Sequence, residues 1–137
     1  MLDNTDLEII SLLKRNSRMQ WREIGEKVHM TGQAVANRIK KLEELGIING
    51  YTIYVNESKL GKSIISYITV FMKTTDHKSF HEFLIERDEV MEAHRISGEG
   101  CYQLKTAVSS QEELESLLNC ILNYGNYRVN MSISKVK

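Results

Sequence analysis

Leu2, Leu7, Ile9, Ile10 and Leu13 recur at helical spacing and predict one buried face of a helix over residues 4–15. Asn4 or Thr5 is placed to cap its start, and Asn16-Ser17 ends it. A second helical pattern runs over Trp21–Val28, with Ile24 and Val28 inward and Arg22, Glu23, Glu26 and Lys27 outward. Thr31 follows as an N-cap, and Val35, Ile39, Leu42 and Leu45 form the stripe of a third helix. Gly46 ends that helix, since glycine suits the left-handed position just past a helix C-terminus. The chain contains no proline, so its boundaries rest on glycine, on Asn/Asp/Ser clusters and on changes of period.

After Gly46 the period shortens to two. Ile47-Ile48 and Tyr51–Val55 read as strand, with Asn49-Gly50 as a turn between them. Residues 56–62 (NESKLGK) are polar and read as a linker. Ile64–Thr74 is rich in β-branched and aromatic residues and predicts a long strand; Asp76 then caps a helix with Phe80, Phe83 and Leu84 inside. Val90–Ser97 and Tyr102–Val108 predict strands on either side of Gly98-Glu99-Gly100. Ser110 caps a helix carrying Leu114, Leu117, Leu118 and Ile121, and Tyr127–Val136 closes the chain with alternation at Val129, Met131 and Ile133. The second half is thus β-α-β-β-α-β, the split βαβ order. The fold class is α+β, divided into a helical unit over 1–50, a strand and linker over 51–62, and a ferredoxin-like domain over 63–137.

Composition narrows the class without changing the layout. The 137 residues are 42% apolar and 26% charged, ordinary globular usage that excludes a largely disordered chain. The apolar run Ser63–Met72 is half of the ~20 residues a bilayer-spanning helix needs, and the N-terminus carries acids where a signal peptide carries a basic flank. Cys101 and Cys120 form neither a metal spacing nor a disulfide framework. The expectation is a soluble cytoplasmic protein with no membrane partner.

Net charge is zero, which taken alone argues against nucleic acid. The distribution argues otherwise: Lys14–Lys41 holds eight basic residues against two acids, while residues 56–137 hold ten against eleven. A charge run by itself describes a solvated helix face. Its setting here is two helices joined by a short turn, the second opening on a small polar cap, which is the helix-turn-helix arrangement. Gln33, Ala36, Asn37, Lys40 and Lys41 fall opposite Val35, Ile39 and Leu42 and point out of the unit, with Arg38 among them. Gln and Asn bond bidentately to adenine, and Lys and Arg reach phosphate or guanine. Gly32, Ala34 and Ala36 are small enough for close approach to a groove, Thr31 as the cap joins the DNA-binding set, and Gln20, Trp21 and Arg22 open the second helix, where backbone N–H groups and a basic side chain clamp phosphate.

Other chemistry is sparse. His77 and His81 have the i, i+4 spacing of a zinc pair but no third ligand, so a solvated helix face is expected. Cys101 as a nucleophile would need a histidine and an orienting partner in space, so it reads as a small loop residue, and Cys120 reads as a small core or interface residue. No titratable pair stands at catalytic spacing. Neither an enzyme nor a metal or organic cofactor is expected.

Asp6-Leu7 with Ile10 and Leu13, Ser17-Arg18, Glu23-Ile24, Thr31, Val35, Arg38, Leu42-Glu43, Gly46-Ile47-Ile48 and Gly50-Tyr51 resemble the DNA-binding domain of the Lrp/AsnC (feast/famine) transcriptional regulators. The resemblance continues through Leu60-Gly61 and the run Ser97–Lys105, so it spans essentially the whole chain. It implies a winged helix-turn-helix, then a ferredoxin-like domain that senses ligands and assembles dimers, often octamers, around amino-acid sites. The partners implied are double-stranded DNA and further copies of the chain, with an amino acid or related molecule as effector and a nucleoid location. The loop Ser97, Gly98, Glu99, Gly100, Cys101, Tyr102 is the implied effector-binding or inter-dimer element. Three features depart from the family pattern: His29 replaces a turn glycine, Thr31-Gly32 replaces Ser-Pro, and Cys101 replaces an aspartate that meets the ligand's amino group. The last departure predicts weak or absent binding of ordinary amino acids. Two other readings stay open: a constitutive architectural protein that wraps or bends DNA, and a metabolite-binding ferredoxin-like protein whose helices are structural.

Overall fold

Asp3, rather than Asn4 or Thr5, starts the first helix, α1 (Asn4–Arg15). Its carboxylate accepts from the Asp6 backbone N–H and Asp6 accepts in return from the Asp3 N–H, a capping box built from two aspartates. The computed structural model describes residues 1–137, and α1 is followed by α2 (Trp21–Val28) and α3 (Gly32–Glu44) in a unit spanning Met1–Tyr54. Ile9, Ile24, Val28, Val35 and Ile39 form its core, with Leu12, Leu13, Met19, Met30 and Ile48 packed around them. His29 takes the left-handed conformation that a glycine would hold at no steric cost (φ 58°, ψ 44°). Gly25, inside α2, lies so close to the returning chain that a Cβ there would sit 2.3 Å from the Met30 carbonyl oxygen. Gly46 ends α3 at φ 68°, as expected.

The strand expected from Ile47 to Val55 does not form. The N–H groups of Ile47 and Ile48 both donate to the Leu42 carbonyl and so close the end of α3. Tyr51–Val55 is not strand, and Tyr51, Ile53, Tyr54 and Val55 are exposed. Alternation specifies which side chains share a face; it does not supply the neighbouring strand that closes the hydrogen bonds. Within the expected linker, Asn56 caps a short 3-10 turn, Glu57–Leu60, ended by Gly61 at φ 84°.

The unit Val55–Lys137 carries β1 (Ile64–Met72), α4 (His77–Ile85), β2 (Val90–Arg95), β3 (Tyr102–Val108), α5 (Gln111–Ile121) and β4 (Gly125–Met131). The sheet order is β2-β3-β1-β4 with every pair antiparallel, the ferredoxin-like layout expected from the element order. Ile68 and Val70 of β1 and Tyr102, Leu104 and Val108 of β3 bury one sheet face against Phe80 and Leu84 of α4 and Leu114, Leu117 and Ile121 of α5. Tyr67 and Met91 are exposed. β4 begins two residues before Tyr127 because Gly125 has no side chain: a Cβ there would lie 2.2 Å from the Phe71 carbonyl oxygen. It stops at Met131, so Ile133 is fully exposed instead of alternating into the sheet.

His81 is exposed and His77 half-buried, as a solvated helix face requires, yet both rings also reach inward. His77 Nδ1 and His81 Nε2 each lie 2.7 Å from the hydroxyl of Tyr102, a side chain only 2% exposed. Ser66 and Thr106, paired directly across β1 and β3, share a 2.6 Å hydroxyl contact in the same buried layer. No buried side-chain polar atom lacks a partner.

Candidate nucleic-acid interface

Thr31 opens α3, its hydroxyl oxygen accepting from the Ala34 N–H at 3.1 Å. Gly32 brings the start of α3 against the start of α2, where a Cβ would sit 3.3 Å from the Arg22 backbone nitrogen. Burial of Val35, Ile39 and Leu42 turns the opposite face of α3 to solvent, and Gln33, Asn37, Lys40 and Lys41 are exposed there, with Ala36 half-buried between them. Gln33 Nε2 donates to Asn37 Oδ1 at 3.2 Å, aligning two amides along one helix edge. Lys40 continues the row with only a 3.8 Å exposed pairing to Glu44.

Gln33, Ala36, Asn37 and Lys40 border a concavity of about 640 Å³ lined also by Leu13, Met19 and Ile39. Trp21, 54% exposed, forms part of its wall, and Gln20 and Arg22 flank it at the N-terminus of α2. Gln20 makes no side-chain capping bond, and Arg22 has only an exposed 3.7 Å pairing with Glu26. Ser17, Glu43 and Tyr51 also line it, three residues outside the set expected to meet DNA. The Tyr51 hydroxyl donates to Glu43 Oε1 at 2.7 Å; partial burial and then this bond push it up to about 12, so it remains a donor at any physiological pH.

Arg38 leaves the outward group. Its guanidinium turns to the start of α1 and bonds Asp3 Oδ2 and, at 2.9 Å, Asp6 Oδ1. The Arg38 bond holds the Asp3 carboxyl below the usual carboxylate range; Asp6 is lowered first by the Asp3 N–H and then by Arg38, whose own guanidinium is raised by both. The sequence did carry a signal for this. Asp6 stands on the stripe shared by Leu2, Ile9 and Leu13, and a carboxylate on a buried face needs a partner.

In the other unit the loop before β3 exposes Ser97, Gly98 and Glu99, with Gly98 at φ 88°. Gly100, at φ 99°, packs where a Cβ would stand 2.5 Å from Thr69 Cγ2. The Cys101 N–H donates to the Val70 carbonyl, its own carbonyl accepts from Ile96, and its side chain packs half-buried on the apolar core. Tyr102 does not belong with the loop's outward groups: its ring is in the core and its hydroxyl is held by the two histidines. No three His, Cys, Asp or Glu side chains cluster as metal ligands, and no helix is long and apolar enough to cross a membrane.

The family model for the AsnC-type helix-turn-helix domain matches residues 2–43, and that for the Lrp/AsnC ligand binding domain matches residues 65–137. The HTH-type transcriptional regulator LrpB of Bacillus subtilis is 52% identical over 99% of this chain and 91% of its own length. LrpA of the same organism is 38% identical over 98% of this chain and 100% of its own. The structure of B. subtilis LrpC matches with a TM-score of 0.95 at 31% identity, covering 100% of this chain and 98% of that one. A transcriptional regulator of Neisseria meningitidis, crystallised as an L-Met complex, shares the fold with a TM-score of 0.94 at 22% identity, over 100% of this chain and 93% of its own.

Proposed function

The chain belongs to the Lrp/AsnC family of HTH-type transcriptional regulators, and from that premise we propose that α3 reads the major groove of its operator through Gln33, Asn37 and Lys40. The observation that carries this reading is the alignment of those three side chains on the solvent face of α3, beside the exposed start of α2. Asn37 reads a base edge, Lys40 and Lys41 meet phosphate, and Gln20, Trp21 and Arg22 hold the neighbouring backbone. The chain acts by binding rather than by catalysis, on the nucleoid in the cytoplasm. Asn37→Ala is expected to weaken binding to the preferred sequence by ~1–3 kcal/mol. Lys40→Ala and Lys41→Ala are each expected to weaken binding to all sequences and to flatten the salt dependence by about one unit. Fluorescence anisotropy across a salt series measures both effects, and an unchanged sequence preference in Asn37→Ala rejects this reading face.

The working species is a homodimer, which places two copies of α3 in successive grooves, and dimers associate further into octamers. Support comes from the apolar side chains left in water by a single chain, among them Ile53 at 77% exposure and Ile133 at 100%. An amino-acid effector is supported by the fold neighbour crystallised with L-Met and opposed by Cys101, which offers no charge to an ammonium group. Ordinary amino acids therefore bind weakly, and the loop Ser97–Cys101 serves chiefly as an inter-dimer contact. Cys101→Asp is expected to strengthen amino-acid binding by ~1.5–3 kcal/mol. Calorimetry with an amino-acid panel tests this, and micromolar affinity in the unmodified chain rejects it.

A further inference from the structure

α3 rests on the other helices through Val35, Ile39 and Leu42, all buried aliphatic side chains. Such contacts are non-directional: they set the spacing between helices more firmly than the rotation of one about its own axis. Arg38 supplies direction. From the middle of α3 it donates to Asp3 and Asp6 in the capping box of α1, whose carboxylates already accept each other's backbone N–H at 2.8 and 3.0 Å. Asp6 is 3% exposed and forms its ion pair with Arg38 alone. The three side chains form one connected network, and Arg38 is adjacent in sequence to Asn37.

We propose that Arg38 is a positioning residue for DNA reading: by tying the middle of α3 to the N-terminus of α1, it sets the rotation at which Gln33, Asn37 and Lys40 meet the groove, and it touches no phosphate. This inference rests on α3 being the recognition helix. A recognition constellation needs placement within ~0.5 Å and ~10–20°, and two charge-assisted bonds from one guanidinium nitrogen to two carboxylates give direction where aliphatic packing does not. The aspartates make the idea testable by sign. Removing an acid from a DNA-binding unit tightens binding to any duplex by charge alone. Removing it as a strut instead weakens binding to the preferred sequence.

The test uses the full chain and two duplexes of equal length, one selected from a random library by the unmodified protein and one of random sequence. Arg38→Gln, Asp3→Asn and Asn37→Ala are compared at a temperature where circular dichroism finds all of them folded. Asparagine is itself a good N-cap, so Asp3→Asn keeps the start of α1 while removing a charged partner of Arg38. Arg38→Gln is expected to lower the preference for the selected duplex at least about fivefold, the low end for a misplaced base contact, with the salt slope unchanged. Asp3→Asn is expected to lower that preference in the same direction by less. Equal weakening on both duplexes with the slope reduced by about one unit would make Arg38 a phosphate contact and overturn the proposal. So would an unchanged preference among folded molecules, or an Asp3→Asn variant that binds both duplexes more tightly with the same preference. Asn37→Ala separates the two levels: an unchanged preference there rejects α3 as the reading helix, whatever Arg38 does.

Discussion

Adding one methyl group at Gly25 is expected to destabilise the helical unit by about 2 kcal/mol or more and to remove DNA binding with it. In an ordinary helix interior the same Gly→Ala change stabilises by ~1 kcal/mol, so the two effects have opposite sign and packing decides. The new Cβ would stand 2.3 Å from the Met30 carbonyl oxygen and 3.3 Å from the Met30 and Thr31 carbonyl carbons. All three are backbone atoms, so no rotamer change relieves the overlap. The turn is also tied down, because the N–H groups of His29 and Met30 both donate to the Gly25 carbonyl. Relief must lift the chain leading into Thr31, which caps α3. Urea unfolding followed by the fluorescence of Trp21, the chain's one tryptophan, reads this unit directly. An unchanged or raised midpoint would mean that the turn lifts at no cost.

Phe80→Ala is expected to cost the ligand-binding unit ~3–5 kcal/mol, the range for an aromatic removed from a filled core. Phe80 is fully buried; it meets the Tyr102 ring edge-on at a centroid distance of 4.9 Å, Tyr124 at 5.1 Å and Phe83 at 6.1 Å. Rings on three sides, one of them with its hydroxyl held by two histidines, leave little freedom to collapse into the space. Denaturant unfolding followed by far-ultraviolet circular dichroism measures the loss. A value below about 1 kcal/mol would mean that the neighbours refill the site, against the usual cavity cost.

The helices and the β-α-β-β-α-β order were legible because their signals are local: an apolar stripe, a cap three residues before the N–H it serves, and a change of period. Asp76 and Ser110 cap the helices expected of them. Tyr51–Val55 departs from its alternation for the opposite reason, since a strand also needs a distant edge, which no local pattern encodes. The reading face of α3 followed from helical geometry, yet Arg38 departed from it because a long, flexible stem lets its head group curl toward an acid 32 residues away. Asp6 within an apolar stripe was the available warning. Tyr102 follows the glycine loop in sequence, but its alternation with Leu104, Thr106 and Val108 places it on the buried face of β3. The histidine pair could not be understood from its own spacing, because its partner lies 21 and 25 residues further along the chain.

That shared hydroxyl imposes a rule on hydrogen placement. A phenol has one proton, so of the two ring nitrogens facing Tyr102 one accepts it and the other must bear a hydrogen and donate back. His77 faces the oxygen with Nδ1 and His81 with Nε2. When both rings are neutral, they are therefore obliged to be the same tautomer, either both protonated on Nδ1 or both on Nε2. Reversing the direction of the phenolic bond requires both imidazoles to relocate their hydrogens together. Two side chains four residues apart on α4 thus behave as a single two-state element whose state is written in one buried O–H bond.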